Sequence, residues 1–148
     1  MSDEDRNGLR LRVHRSSFII SLMSARFFTL DEANAALPQL NALLEQLMQA
    51  RRAIIDARPE LWPVLKKSIG NGGSKKAGEL LAEFERVQAA HKAIEAMGVV
   101  LKDPDVGLLD FLHRRPDGRE VYLCWRYGEQ EVAYWHELHA GFAGRKRV

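Results

Sequence analysis

The order of its hydrophobic patterns limits what this chain can fold into: two helical stripes come first and short strands last. Phe28-Thr29-Leu30-Asp31-Glu32 reads as a helix start. The Thr29 hydroxyl can cap the helix and Glu32, three residues on, can return the bond. Asp31 and Glu32 also suit the positive end of the helix dipole. Ala33, Leu37, Leu40, Leu44, Leu47 and Ile54 follow, with Arg51 completing the spacing. Steps of three and four place them on one face. Pro38 lacks an N–H and crowds the preceding turn, which predicts a kink or a break there. Pro59 and Pro63 bracket a helix end near Arg58.

Glu60 to Gly73 reads as a connection that runs into Ser74-Lys75-Lys76. Its glycines superficially suggest phosphate binding, but the spacing is not that of a P-loop and no strand precedes it. A flexible loop with Ser74 as the next N-cap is the better reading. The second helix is expected from about Lys75 to Met97, striped by Ala77, Leu80, Leu81, Phe84, Val87, His91, Ile94 and Met97. Gly98 then supplies the left-handed residue that ends it. His91 reads as a boundary histidine at a helix–helix seam rather than a ligand.

Beyond Gly98 the segments shorten. Val99-Val100-Leu101 is a short strand or an extended link, and Lys102 to Gly107 is turn chemistry. Leu108-Leu109-Asp110-Phe111-Leu112 is apolar with one carboxylate inside it, and Arg114 to Gly118 is a strong turn. Two strands follow, about Glu120–Tyr127 and Glu131–Leu138. The expected class is α+β: an antiparallel pair of long amphipathic helices, then a small antiparallel β-sheet of two to four short strands. A helix pair alone leaves apolar surface uncovered. The sheet is expected to cover one side and a second subunit another, giving a homodimer.

A chain of 148 residues fits one domain, here residues 27–148. The net charge of +2 argues against a nucleic-acid partner, and Arg145-Lys146-Arg147 reads as a solvated tail. A single cysteine excludes an intrachain disulfide framework and a multi-cysteine zinc site. It fits a reducing compartment, and a cytoplasmic location is expected. No apolar run approaches the roughly 18–20 residues that span a bilayer. Residues 1–26 carry basic residues, a short apolar patch and small residues, the outline of a signal peptide. The patch is short and acids precede it, so a disordered arm is the favoured reading. A mis-assigned start, with translation beginning at Met23, is the alternative.

Phe27-Phe28-Thr29-Leu30-Asp31-Glu32-Ala33-Asn34 with Leu37-Pro38 resembles the opening of a bacterial family known only as domain of unknown function 2203. The end agrees: Gly98-Val99, Lys102-Asp103-Pro104, Gly107-Leu108 with Asp110-Phe111, Gly118-Arg119-Glu120-Val121, Leu123-Cys124-Trp125, Gly128-Glu129, Trp135-His136 and Gly141-Phe142-Ala143-Gly144-Arg145. The resemblance covers about residues 27–145 and implies no established activity. It places the characteristic residues in the last strands and the loop after them. His139 departs from the family pattern, so the resemblance does not imply a His136/His139 pair.

Three kinds of site are open to these residues. Cys124 and His136, with a carboxylate such as Asp110, Glu129 or Glu137, are ligand types for a divalent metal. Register decides whether they meet. With Gly128-Glu129 as a two-residue turn, Cys124 faces Ala133 and His136 falls on the other face. A loop longer by one residue pairs Cys124 with Tyr134 and sets His136 opposite Tyr122, on the Cys124 face. The sequence leaves both open. An enzyme with Cys124 as nucleophile and His136 or His113 as base needs an exposed thiolate, and flanking Leu123 and Trp125 supply nothing electropositive. The leading expectation is a binding or assembly module for an unknown protein or small-molecule partner. Trp125, Trp135, Arg119, Arg126, Phe142 and Arg145 are its contact residues, and metal binding at Cys124, His136, Asp110 and Glu137 is the alternative.

Overall fold

A computed structural model describes residues 26–72 and 74–148. The expected arm, apart from Arg26, lies outside the described residues. Helix α1 spans Leu30–Ala57. Thr29 Oγ1 accepts from the Glu32 N–H and Glu32 Oε1 accepts from the Thr29 N–H, both at 3.1 Å, so the capping box forms. Such a cap is worth about 1 kcal/mol. The expected break at Pro38 does not occur, because α1 runs through it. Pro38 is exposed, so its missing N–H falls on the solvent side of the helix. Leu37 and Leu40 beside it are buried, and this packing carries the helix past the proline.

The expected connection after Arg58 is partly helical. A 3₁₀ turn, Pro59–Leu61, leads into α2, Trp62–Lys67. Trp62 and Leu65 sink into a cluster with Leu47, Ala50, Ile54, Phe84, Val87 and Ala90, and that burial folds the segment back. Helix α3 spans Leu81–Ala96, beginning later than expected. Ser74 is not its N-cap, since Leu80 stands there without a side-chain cap, but it holds a turn: its hydroxyl accepts from Lys76 N–H at 3.3 Å and its carbonyl from Ala77 N–H at 3.1 Å. Gly78, at φ +38°, then leaves the right-handed helical region and separates that turn from α3. At the other end, Gly98 N–H reaches the Glu95 carbonyl and Val99 N–H the Ile94 carbonyl, with Gly98 at φ +80°. This pair of bonds is a Schellman stop.

Early residues of α1 (Leu37, Leu40, Leu44) share a core with Ile94 near the end of α3, while late ones (Leu47, Ala50, Ile54) share one with Phe84 and Val87 near its start. The two helices are therefore antiparallel. Five antiparallel strands follow in sequence order: β1 Val100–Asp103, β2 Leu108–Arg114, β3 Glu120–Arg126, β4 Tyr134–Glu137 and β5 Lys146–Arg147. The expected count of two to four is exceeded because the basic tail pairs as β5, Lys146 opposite Trp135 and Arg147 opposite Tyr134. Odd-numbered Leu109, Phe111, Val121, Leu123, Trp125 and Trp135 join the α1 and α3 side chains in one core. The class is α+β, and among the described residues no helix is long and apolar enough to cross a membrane.

Candidate metal centre

Because the odd-numbered residues face the helices, the even-numbered ones form the outer face of the sheet. Asp110 pairs with Cys124 across β2–β3, Cys124 with Tyr134 and Tyr122 with His136 across β3–β4. Of the two registers open from sequence, the chain takes the one with the longer loop. Asp110, Cys124 and His136 consequently share the outer face at neighbouring positions. Their ligand atoms, a carboxylate oxygen, the thiol sulfur and a ring nitrogen, all lie within 4.8 Å of one another.

All three are sealed despite lying on the side away from the helices. Cys124 is 0% exposed, and Asp110 and His136 are 1% exposed. Two tyrosines flank them, each with a cation against its ring. Tyr122 stands 5.7 Å from the His136 ring with Lys102 Nζ 5.0 Å from its own centroid. Tyr134 carries the Arg145 guanidinium at 4.1 Å. Arg145 also donates to the Cys124 carbonyl at 3.2 Å and to both oxygens of Glu129 at 2.7 and 2.9 Å, fastening the terminal loop beside β3.

His136 Nδ1 lies 2.7 Å from the Glu137 carbonyl, which can only accept, so Nδ1 holds a proton. Its Nε2 lies 3.0 Å from both Asp110 oxygens. One further proton is therefore shared between the imidazole and the carboxylate. Burial pushes the Cys124 thiol up to about 12, and the Asp110 charge adds to the effect. At neutral pH the sulfur is protonated, which removes the thiolate that a nucleophilic role requires.

The other expected site residues are placed as follows. Glu137 points to the opposite side of β4 from His136 and is engaged by Arg119 at 3.2 Å and Lys146 at 3.9 Å, so it stands apart from the three converging groups. Glu129 is held by Arg145. Trp125 is fully buried in the core, its indole N–H donating to the Glu129 carbonyl at 3.0 Å. Trp135 is buried on the inner face, whereas Arg119, Arg126 and Phe142 are exposed. His139 is exposed, and His113 Nδ1 donates to the Phe28 carbonyl at 2.7 Å. His91 is half-buried and borders two clefts.

The sequence reading missed Asp105. Its carboxylate accepts from Trp62 Nε1 at 2.6 Å, Arg51 Nε at 3.0 Å and Lys66 Nζ at 2.6 Å. Burial raises this carboxyl, but the hydrogen bonds from Lys66, Trp62 and Arg51 and the Lys66 charge outweigh it and hold it at about 2. The signal available in sequence was slight: Trp62 and Lys66 stand four apart, on one helix face, and Asp105 is one of two acids in a distant turn segment.

No curated protein and no solved structure matches the chain. A family model described as "Uncharacterized conserved protein (DUF2203)" matches residues 26–148, from three residues ahead of the Thr29 cap to one residue past the last strand, and the chain belongs to that family.

Proposed function

We propose that this protein binds a divalent transition metal, zinc above the others, through Asp110, Cys124 and His136. The observation that carries the reading is the convergence of those three ligand atoms within 4.8 Å on one sheet face. Zinc bonds to sulfur, nitrogen and oxygen run about 2.0–2.3 Å, so ligands this close need only small side-chain adjustments to share an ion. The orientation of His136 supports it, since metal-binding histidines donate their second N–H to a carbonyl or carboxylate. Here Nδ1 does so to Glu137 and leaves Nε2 facing the cluster.

Charge balance supports it as well. Without an ion, a carboxylate, a shared proton on imidazole and a neutral thiol sum to zero. With Zn²⁺, the carboxylate, a neutral imidazole and a thiolate again sum to zero. Burial therefore favours both states, and the ion displaces two protons, one from the sulfur and one from between Asp110 and His136. Because the ligands come from β2, β3 and β4, the ion would fasten three strands together. The binding or assembly surface expected from sequence ranks lower, because Trp125 and Trp135, the aromatic anchors named for it, are buried within one chain.

Metal-free, tag-free protein titrated with zinc in weak buffer tests the reading. The expected result is one zinc per chain by elemental analysis after desalting, release of about two protons, and a higher Tm. Cys124→Ser and His136→Ala should each lose the retained zinc. Substoichiometric zinc in the wild type, or full retention in both variants, would refute it.

A further inference from the structure

Asp110, Cys124 and His136 are sealed at 0–1% exposure on the face of the sheet away from the helices, so anything that reaches them must first move part of their cover. The terminal loop is the cover beside Cys124. Gly141–Arg145 leaves the end of β4, makes one 3₁₀ turn at Phe142–Gly144 and returns to the sheet as β5. Its backbone bonds are local: Ala140 N–H reaches the Glu137 carbonyl at 3.0 Å, Gly144 N–H that of Gly141 at 2.9 Å and Arg145 N–H that of Phe142 at 3.2 Å. Phe142, the large apolar side chain of the loop, is 43% exposed and so only shallowly anchored. The Arg145 side chain makes the attachment to β3. Its Nη2 donates to the Cys124 carbonyl and to both Glu129 oxygens, and its guanidinium lies on Tyr134, the residue directly opposite Cys124 across β3–β4. Burial and the Asp110 charge raise the Cys124 thiol, and the Arg145 charge opposes them from close by.

This attachment is held against a penalty. Among the described residues, Arg145 Nε is a buried nitrogen without a hydrogen-bond partner. A buried donor left unpaired loses its hydration with nothing in return. The pair with Glu129 offsets that loss when the loop is closed, and opening returns Nε to water. Glu129 is itself fixed, since it accepts from the Arg126 N–H at 2.6 Å, so Arg145 is the end that moves. We propose that Gly141–Arg145 is a clasp latched by Arg145 on Glu129, and that its local opening, with the rest of the sheet intact, uncovers Cys124 and lets the metal ion enter and leave. As a passage for the ion the clasp rests on the metal reading; as a route to the Cys124 sulfur it does not.

Labelling of Cys124 in the metal-free full-length chain by a disulfide thiol reagent tests the clasp. Glu129→Gln keeps an acceptor for the Arg126 N–H and removes the charge that holds Arg145. It should raise the labelling rate at least about tenfold, as should Arg145→Gln, because a charge-assisted hydrogen bond is worth roughly a factor of ten or more in an equilibrium. Arg86→Gln, which breaks the surface pair with Glu83 on α3, should leave the rate unchanged. Below the unfolding transition the faster rates should hardly depend on urea, since local opening exposes little surface. Zinc-loaded Glu129→Gln and Arg145→Gln should begin with one zinc per chain and release it to excess chelator faster than the wild type by a similar factor. Unchanged labelling in both variants, or a rate that climbs with urea in step with global unfolding, overturns the clasp. A wild type that holds zinc while the variants label no faster would sink the clasp alone. Faster labelling in a chain that holds no zinc would sink the metal reading and support the clasp as a route to the sulfur.

Discussion

Asp105 and Asp110 stand five residues apart, and the fold treats their carboxylates in opposite ways. Asp105 lies in the turn after β1 and collects three donors from α1 and α2, two of them cations. Its side chain stays 30% exposed, so water shares in its solvation. Asp110 sits inside β2, is 1% exposed, and meets a single histidine and a thiol. Three donors on a carboxylate make a structural staple that leaves nothing for a ligand. One shared proton beside a soft sulfur leaves acceptor capacity, and in a dry place that capacity suits an ion carrying two charges. The contrast teaches that a carboxylate's surroundings, more than its burial, separate a staple from a site.

The largest effect should come from Asp110→Ala. It leaves His136 buried without its counter-charge, and breaking a buried pair costs about 3 kcal/mol or more. Urea unfolding measures it; a loss comparable to that of a surface substitution would show that the outer face is open to water and would break the comparison. Asp105→Ala should cost less, about 1–2 kcal/mol, because its partly exposed partners can turn to solvent.

Acid should test the Asp105 staple on its own. The Asp105 carboxyl lies at about 2 in the folded chain against an ordinary 3.8. A lowered folded value means that the stabilisation is present above about 4 and is lost as pH falls toward about 2. Wild-type stability should decline through that window, and Asp105→Asn should decline less steeply. Equal slopes would mean that the three donors do not hold the carboxylate as drawn.

The smallest effect is kinetic. Cys124, with its thiol near 12 and no exposure, should react with a thiol reagent at neutral pH far more slowly than in urea. Rapid labelling of the native protein would place the sulfur at an open surface, and the outer cluster would then be no drier than Asp105.

Much of the helical half was legible because its signals are local. The Thr29/Glu32 box, the α1 stripe and the Gly98 stop each involve residues within one or two turns. The turns between β1, β2 and β3 were legible for the same reason, although Lys102, Asp103 and Arg114, expected in them, belong to β1 and β2. Pro38 misled because its local cost is outweighed by the packing of Leu37 and Leu40 on the buried side. Trp62 and Leu65 misled in the opposite sense: two prolines advertised a connection, while burial against α1 and α3 made it helical.

The sequence by itself determined which residues were available, where α1 begins and ends and where α3 ends, and that a sheet follows them. Only the tertiary structure decided whether Asp110, Cys124 and His136 meet. Side chains alternate along a strand, so a shift of one residue in the β3–β4 loop moves His136 to the other face. That loop is set from a distance: Asn34 on α1 accepts from Val132 N–H at 2.7 Å, and Arg145 holds Glu129 from beyond β4. Local propensity cannot register contacts 98 residues apart in sequence, and it is such contacts that bring the three ligand groups onto one face.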